Sequence, residues 1–206
     1  MRERRKGMNR FENWFCASSL WRIVTRKRLL PWITAGSDLG DHVLEIGAGF
    51  GVATDELRRR AAQVTSLEYD AKKVAWIAAR SSAPNGSLLQ GDASSLPFAD
   101  ETFSSAVAVL VLHHLGSAEL QDRALREINR VLRPGGVFLA LEVSDGWLQR
   151  VGHIGSTFVP LAAAGTFARL TAAGFSKVTG DFRGSAFRIR ALRAAAARVD
   201  RSAPAA

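Results

Sequence analysis

Cysteine is nearly absent from this chain. Cys16 is the single one, so there is no intramolecular disulfide and no site built from several cysteine thiolates. Long apolar runs are missing as well. None reaches the ~18–20 residues needed to cross a bilayer as a helix. The charged start Met1-Arg-Glu-Arg-Arg-Lys-Gly7 is followed by Glu12 and Asn13, which break any apolar core of a secretory signal, so the expected location is cytoplasmic. The six prolines never stand side by side. No Asp/His cluster has metal-ligand spacing along the chain, so no metal is expected.

What is present is an ordinary globular composition. The chain has 206 residues, 47% of them hydrophobic, enough for one domain with a sizeable core. Its charge of +9 suggests a polyanion partner until it is divided along the chain. Residues 1–30 are net +7, residues 31–179 net −2, and residues 180–206 net +4. Basic ends are commonly solvated faces or tails, so nucleic acid is not the expected partner.

The middle alternates short apolar runs with helical patterns, which reads as βαβ units and a mainly parallel sheet. Strands are expected at 42–46, 64–68, 87–90, 105–112 and 137–143, with two more at 177–179 and 187–190. Helices are expected from about 52 to 62, through Val74, Ile77 and Ala78, over 117–132, and from 166 to 173. Segment 145–164 lacks a period and reads as irregular. The first residues hold Trp14, Trp21 and Trp32 among arginines, and read as one or two helices packed across the sheet's C-terminal edge. The expected division is a helical cap over 1–36, the main domain over 37–193, and a flexible tail over 194–206. Met8 is a candidate for the true start.

The chemistry concentrates in Glu45-Ile-Gly47-Ala48-Gly49-Phe50-Gly51, where a strand ends and a helix begins. Glycines there let the backbone take positive φ and let a ligand approach closely. Val52 stands where a dinucleotide fingerprint has its last glycine, which disfavours NAD and FAD. Glu68 ends the second strand, placed to accept two ribose hydroxyls, and Gly91-Asp92-Ala93 closes the third.

Together with Leu96-Pro-Phe98, Leu112-His-His-Leu115 and Leu132-Arg-Pro-Gly-Gly136, these landmarks resemble the type 11 group of class I S-adenosylmethionine-dependent methyltransferases, over roughly residues 40–144. The resemblance implies an α/β, Rossmann-like fold: a seven-stranded, mostly parallel sheet with an antiparallel last strand and helices on both faces. It implies S-adenosylmethionine held by Gly47, Ala48, Gly49 and Gly51. Glu45 would orient that loop or reach the cofactor's amino group through water. Glu68 would take the ribose hydroxyls, Tyr69 would pack on the adenine, and Asp92 with Ala93 would meet the adenine amine. Val109 would line the sulfonium end.

A methyltransferase needs a base only when its acceptor keeps a proton. His114, and less so His113, are the candidates, since imidazole titrates in the useful range. Glu142 and Asp145 read as ordinary loop carboxylates, and Cys16 as a packed thiol. Trp14, Phe15 and Trp21 read equally well as an apolar lid over the acceptor or as a cover for the sheet edge. The expected acceptor is a small molecule bearing an O, N or C nucleophile. RNA or another polyanion is the alternative acceptor, and binding of S-adenosylmethionine without turnover is another. Contact with a membrane surface is a lesser reading of the mixed Arg and Trp.

Overall fold

A computed structural model describes residues 7–80 and 84–195. All but the first two residues of the expected tail, and the first six residues of the chain, lie outside it.

Seven strands form one sheet: β1 (His42–Ile46), β2 (Gln63–Glu68), β3 (Gly86–Gln90), β4 (Phe103–Val109), β5 (Leu132–Val143), β6 (Phe175–Arg183) and β7 (Ala186–Arg193). Their order is β3-β2-β1-β4-β5-β7-β6. Neighbours from β3 to β5 pair in parallel, and β7 runs antiparallel to both β5 and β6. This is the implied class I sheet.

The central strands are apolar on both faces because both faces are covered. In β5, Phe138 and Ala140 enter one core with α6 (Ala118–Val131) and α8 (Ala163–Ala172). Val137, Leu139 and Leu141 enter the other, with α3 (Leu30–Thr34) and α4 (Val52–Leu57). The helix α6 shows how its sequence dictates this. Ser117 caps its first turn, and Ala124, Leu125, Ile128 and Val131 lie on one buried stripe.

Several expectations need correction, and α4 and β4 end at Leu57 and Val109, short of the expected 62 and 112. The segment read as irregular contains α7 (Trp147–Gly152), too short a helix to show a period, and α8 begins at Ala163. The expected strand 137–143 begins five residues earlier, because β5 runs through Pro134 and the two glycines. The first residues form α1 (Arg10–Ala17) and a nearly continuous run of α2 (Ser19–Val24), a π turn at Thr25–Leu29, and α3. Only α1 and the start of that run reach the C-terminal edge of the sheet; α3 lies on its face with Leu30, Trp32 and Ile33 buried.

Strand order reverses between β1 and β4, which opens a crevice beyond their carboxyl ends. The loop at 47–51 and the end of β4 meet there.

Candidate functional site

Gly47, Gly49 and Gly51 have φ of +73°, +58° and +73°, in the left-handed region that side chains disfavour. Each glycine has a different reason to lack a side chain. A Cβ on Gly47 would lie 2.5 Å from Val111 Cγ2, whereas one on Gly49 would meet nothing closer than the Gly47 carbonyl at 4.0 Å. Gly47 therefore lets the turn after β4 come close, and Gly49 leaves space for a ligand. The loop is tied to β2. Gly47 N and Ala48 N donate to Leu67 O, and Gly49 N donates to Glu68 Oε2 at 2.8 Å. The other carboxylate oxygen of Glu68 accepts from Asp70 N at 2.9 Å, where α5 (Ala71–Ala78) begins. Each oxygen keeps a second lone pair for a ligand hydroxyl.

These groups line a cavity of about 750 Å³, a size that suits a cofactor and a small acceptor together. Gly47, Ala48, Gly49, Glu68, Tyr69, Ala93 and Val109 form one wall. Phe11, Phe15 and Trp21 line the same cavity, with Phe15 and Trp21 packed at 5.3 Å between ring centres. At the end of β4, Leu110 holds φ +58° and its N–H donates to Leu141 O. Such backbone strain, of order 1–3 kcal/mol in a residue other than glycine, clusters at binding sites.

The sequence of residues 44–140 matches the methyltransferase-domain family. Demethylmenaquinone methyltransferase from Corynebacterium kroppenstedtii is 37% identical over 126 residues, which cover 61% of this chain and 49% of that enzyme. The chain thus spans about half the length of the curated relatives it matches. Residues 44–140 thus match methyltransferase domains in sequence, and the sheet around them has the class I strand order. Two solved structures share the fold alone. A Pyrococcus horikoshii protein superposes with a TM-score of 0.77 at 16% identity, covering 91% of this chain and all of its own. The [4+2]-cyclase SpnF superposes with a TM-score of 0.65 at 23% identity, covering 81% and 79%.

The family's cofactor is S-adenosylmethionine, and the cradle at Gly49 and the carboxylate of Glu68 fit its methionine and ribose parts. Two expected cofactor contacts look different in this chain. Glu45 is fully buried behind the loop and does not line the cavity. Its Oε2 accepts from Thr54 on α4 and Ser66 on β2, both at 2.6 Å, and burial pushes its carboxyl pKa up. Glu45 thus orients the loop by anchoring the helix after it. Asp92 Oδ1 accepts from the backbone and hydroxyl of Ser94, each at 2.8 Å, the arrangement of an Asx turn. Gly51, too, lies outside the lining, at the start of α4.

Of the two carboxylates near the end of β5, one is corrected as well. Glu142 is no loop group: it is fully buried in β5. Its Oε1 accepts from Val111 N and Leu112 N at 3.0 and 2.7 Å, and its Oε2 lies 2.6 Å from His113 Nδ1. It fixes the turn that carries both histidines. Asp145 pairs with Arg150 on the surface, as a loop carboxylate should. Burial is the main cause that lowers His114 to a pKa of about 3, with the His113 charge adding to it. That leaves it neutral at pH 7 and a weak proton acceptor. Burial likewise raises Cys16 to about 11, so it is a thiol rather than a thiolate.

Sequence reasoning missed Glu12, which α1 buries at 8% exposure, and the company of His153. One ring nitrogen each from His113, His114 and His153 lie within 4.8 Å of one another. Chain spacing gives no sign of this, because His153 arrives from α7 and Glu12 from α1. Of the three aromatics read as lid or cover, Phe15 and Trp21 face the cavity, while Trp14 is 67% exposed.

Proposed function

We propose that this chain transfers the methyl group of S-adenosylmethionine, by in-line displacement, to a small acceptor with a largely apolar body. The supporting observation is the continuity of one cavity from the Gly47–Gly49 loop and Glu68 to Phe11, Phe15 and Trp21. When bound, the cofactor supplies a methyl carbon already activated by a positive sulfur. The chain's own part is alignment and exclusion of water.

In this reading Gly47, Ala48 and Gly49 hold the methionine end and Glu68 accepts the ribose hydroxyls. Tyr69 and Ala93 border the adenine, and Val109 borders the reacting end. Gly51, Glu45 and Asp92 shape the loops from behind. Phe15 and Trp21 cover the acceptor and keep water from it. Neutral His114 is not asked to remove a proton, so the acceptor is one that ionises readily or carries a lone pair, such as an acidic phenol or an amine. A demethylmenaquinone methyltransferase among the relatives fits an acceptor of this apolar class. Among the described residues no helix is long and apolar enough to cross a membrane.

The test is transfer of label from methyl-labelled S-adenosylmethionine, with hydroxyquinones, simple phenols and bulk RNA offered in parallel. Label in an organic-phase product supports the reading. Label in RNA, with binding that weakens steeply as salt rises, would establish the polyanion alternative. Tight cofactor binding with no transfer to any extract fraction would leave a binding protein, an outcome that the cyclase on this fold makes worth measuring.

A further inference from the structure

We propose that Glu12, His113, His114 and His153 form a binding site for one borderline divalent transition-metal ion, with zinc as the reference case. The site goes beyond methyl transfer and does not depend on it.

The argument begins with the far sides of the imidazoles. His113 Nδ1 lies 2.6 Å from Glu142 Oε2, His114 Nδ1 is 3.0 Å from Thr157 O, and His153 Nδ1 is 2.6 Å from Gln149 O. All three partners are acceptors, so each Nδ1 carries the hydrogen and each Nε2 keeps its lone pair. Carboxylate and carbonyl partners of this kind fix the ring and tautomer of metal-bound histidines. One ring nitrogen from each of the three lies within 4.8 Å of the others. Phe158 backs His153 with a ring stacked at 4.3 Å between centres.

Glu12 supplies the second observation. Its Oε2 is used by Asn9 N in a capping box at the start of α1. Its Oε1 is buried without a hydrogen-bond partner, 3.2 Å from His153 Nε2 and 4.0 Å from His114 Nε2. An anionic oxygen facing two nitrogen lone pairs is repulsive unless a cation stands between them. Three imidazoles and one carboxylate suit zinc, cobalt(II) or nickel(II). They do not suit calcium or magnesium, which prefer all-oxygen shells. Tetrahedral ligands at 2.0–2.1 Å from zinc stand about 3.3 Å apart, so the three imidazoles, whose nitrogens lie within 4.8 Å, need to close by ~1.5 Å at most, and Glu12 Oε1 already stands 3.2 Å from His153 Nε2. Glu12 is on α1, His113 and His114 are on the turn after β4, and His153 follows α7. A bound ion would therefore tie three elements together across the cavity.

The competing account is a proton: His153 as an imidazolium paired with Glu12, and no metal. The two separate in a titration of chelator-stripped protein with zinc and with cobalt(II), read against a competing chromophoric chelator. The expected result is one ion per chain, a cobalt ligand-field spectrum of a four- or five-coordinate nitrogen/oxygen site, and a rise in Tm on metal addition. Affinity should fall at least tenfold in His153→Ala and in Glu12→Gln. The glutamine keeps the Asn9 contact and offers His153 Nε2 an amide hydrogen, so the metal-free variant stays folded by circular dichroism. Glu142→Gln should also weaken metal ~10–100-fold, because its amide favours the His113 tautomer with hydrogen on Nε2. Failure of the parent protein to bind an ion would overturn the proposal. So would binding that Glu12→Gln and His153→Ala leave unchanged, since that is adventitious uptake elsewhere.

Discussion

Replacing Glu68 by Gln tests the cofactor wall most directly, because volume and shape are kept and only the acceptor pattern changes. Both carboxylate oxygens are committed to backbone donors, Gly49 N at 2.8 Å and Asp70 N at 2.9 Å. An amide has one oxygen. Whichever way it is turned, its NH2 faces one of those N–H groups. Glu68 is only 7% exposed, so the unpaired donor gains little from water. An unsatisfied buried donor costs about 1–3 kcal/mol. If the Gly49 loop is the part that loosens, that cost appears as a loss of about 5- to 150-fold in S-adenosylmethionine affinity, at tenfold per 1.4 kcal/mol. The lost ribose acceptor adds to it. Calorimetry with S-adenosylmethionine and S-adenosylhomocysteine measures the loss, and near-unchanged circular dichroism shows that the fold persists. Binding of both ligands within twofold of the parent would refute Glu68 as the residue that couples loop and ribose.

Two further contrasts use the same geometry. Gly47→Ala meets both a positive φ and the Val111 methyls at 2.5 and 2.9 Å, so it should cost about 2–5 kcal/mol and lower Tm clearly. Gly49→Ala meets the φ penalty alone, about 1–2 kcal/mol, and should instead weaken cofactor binding by filling the cradle. Equal Tm losses in the two would show that the turn after β4 does not press on the loop. Phe15→Ala should raise the acceptor KM by about 5- to 30-fold through lost apolar contact while leaving cofactor affinity within twofold. Trp14→Ala, which alters an exposed ring, should change neither.

Much of the central domain is legible before any coordinates. A run such as Val43-Leu-Glu-Ile46 followed by alternating glycines announces strand, turn and helix through local chemistry alone, and Glu68 follows at the distance a βαβ unit requires. The amphipathic stripe of α6 is equally local. Reading failed where the decisive contact is distant. Glu142 looks like the end of a strand near a loop, and its role rests on two N–H groups and an imidazole some thirty residues upstream. The N-terminal aromatics could not be sorted, since a helix with rings on several sides does not say which side meets the sheet. Trp32 on the sheet face, Phe15 on the cavity and Trp14 in solvent are outcomes of docking.

The sequence by itself determined the sheet, the glycine turn and the family resemblance, because strand periodicity, positive-φ glycines and short spacings are properties of neighbouring residues. It also located the +9 charge in the first 30 and last 27 residues rather than in the middle of the chain. Only the tertiary structure decided that Glu45 is an anchor, that His114 is held neutral by burial, and that Glu12 and His153 join the His113–His114 pair. Burial and convergence depend on where whole elements land. The packing of α1 and α7 against the end of β4 sets them, and no spacing along one strand or helix encodes that packing.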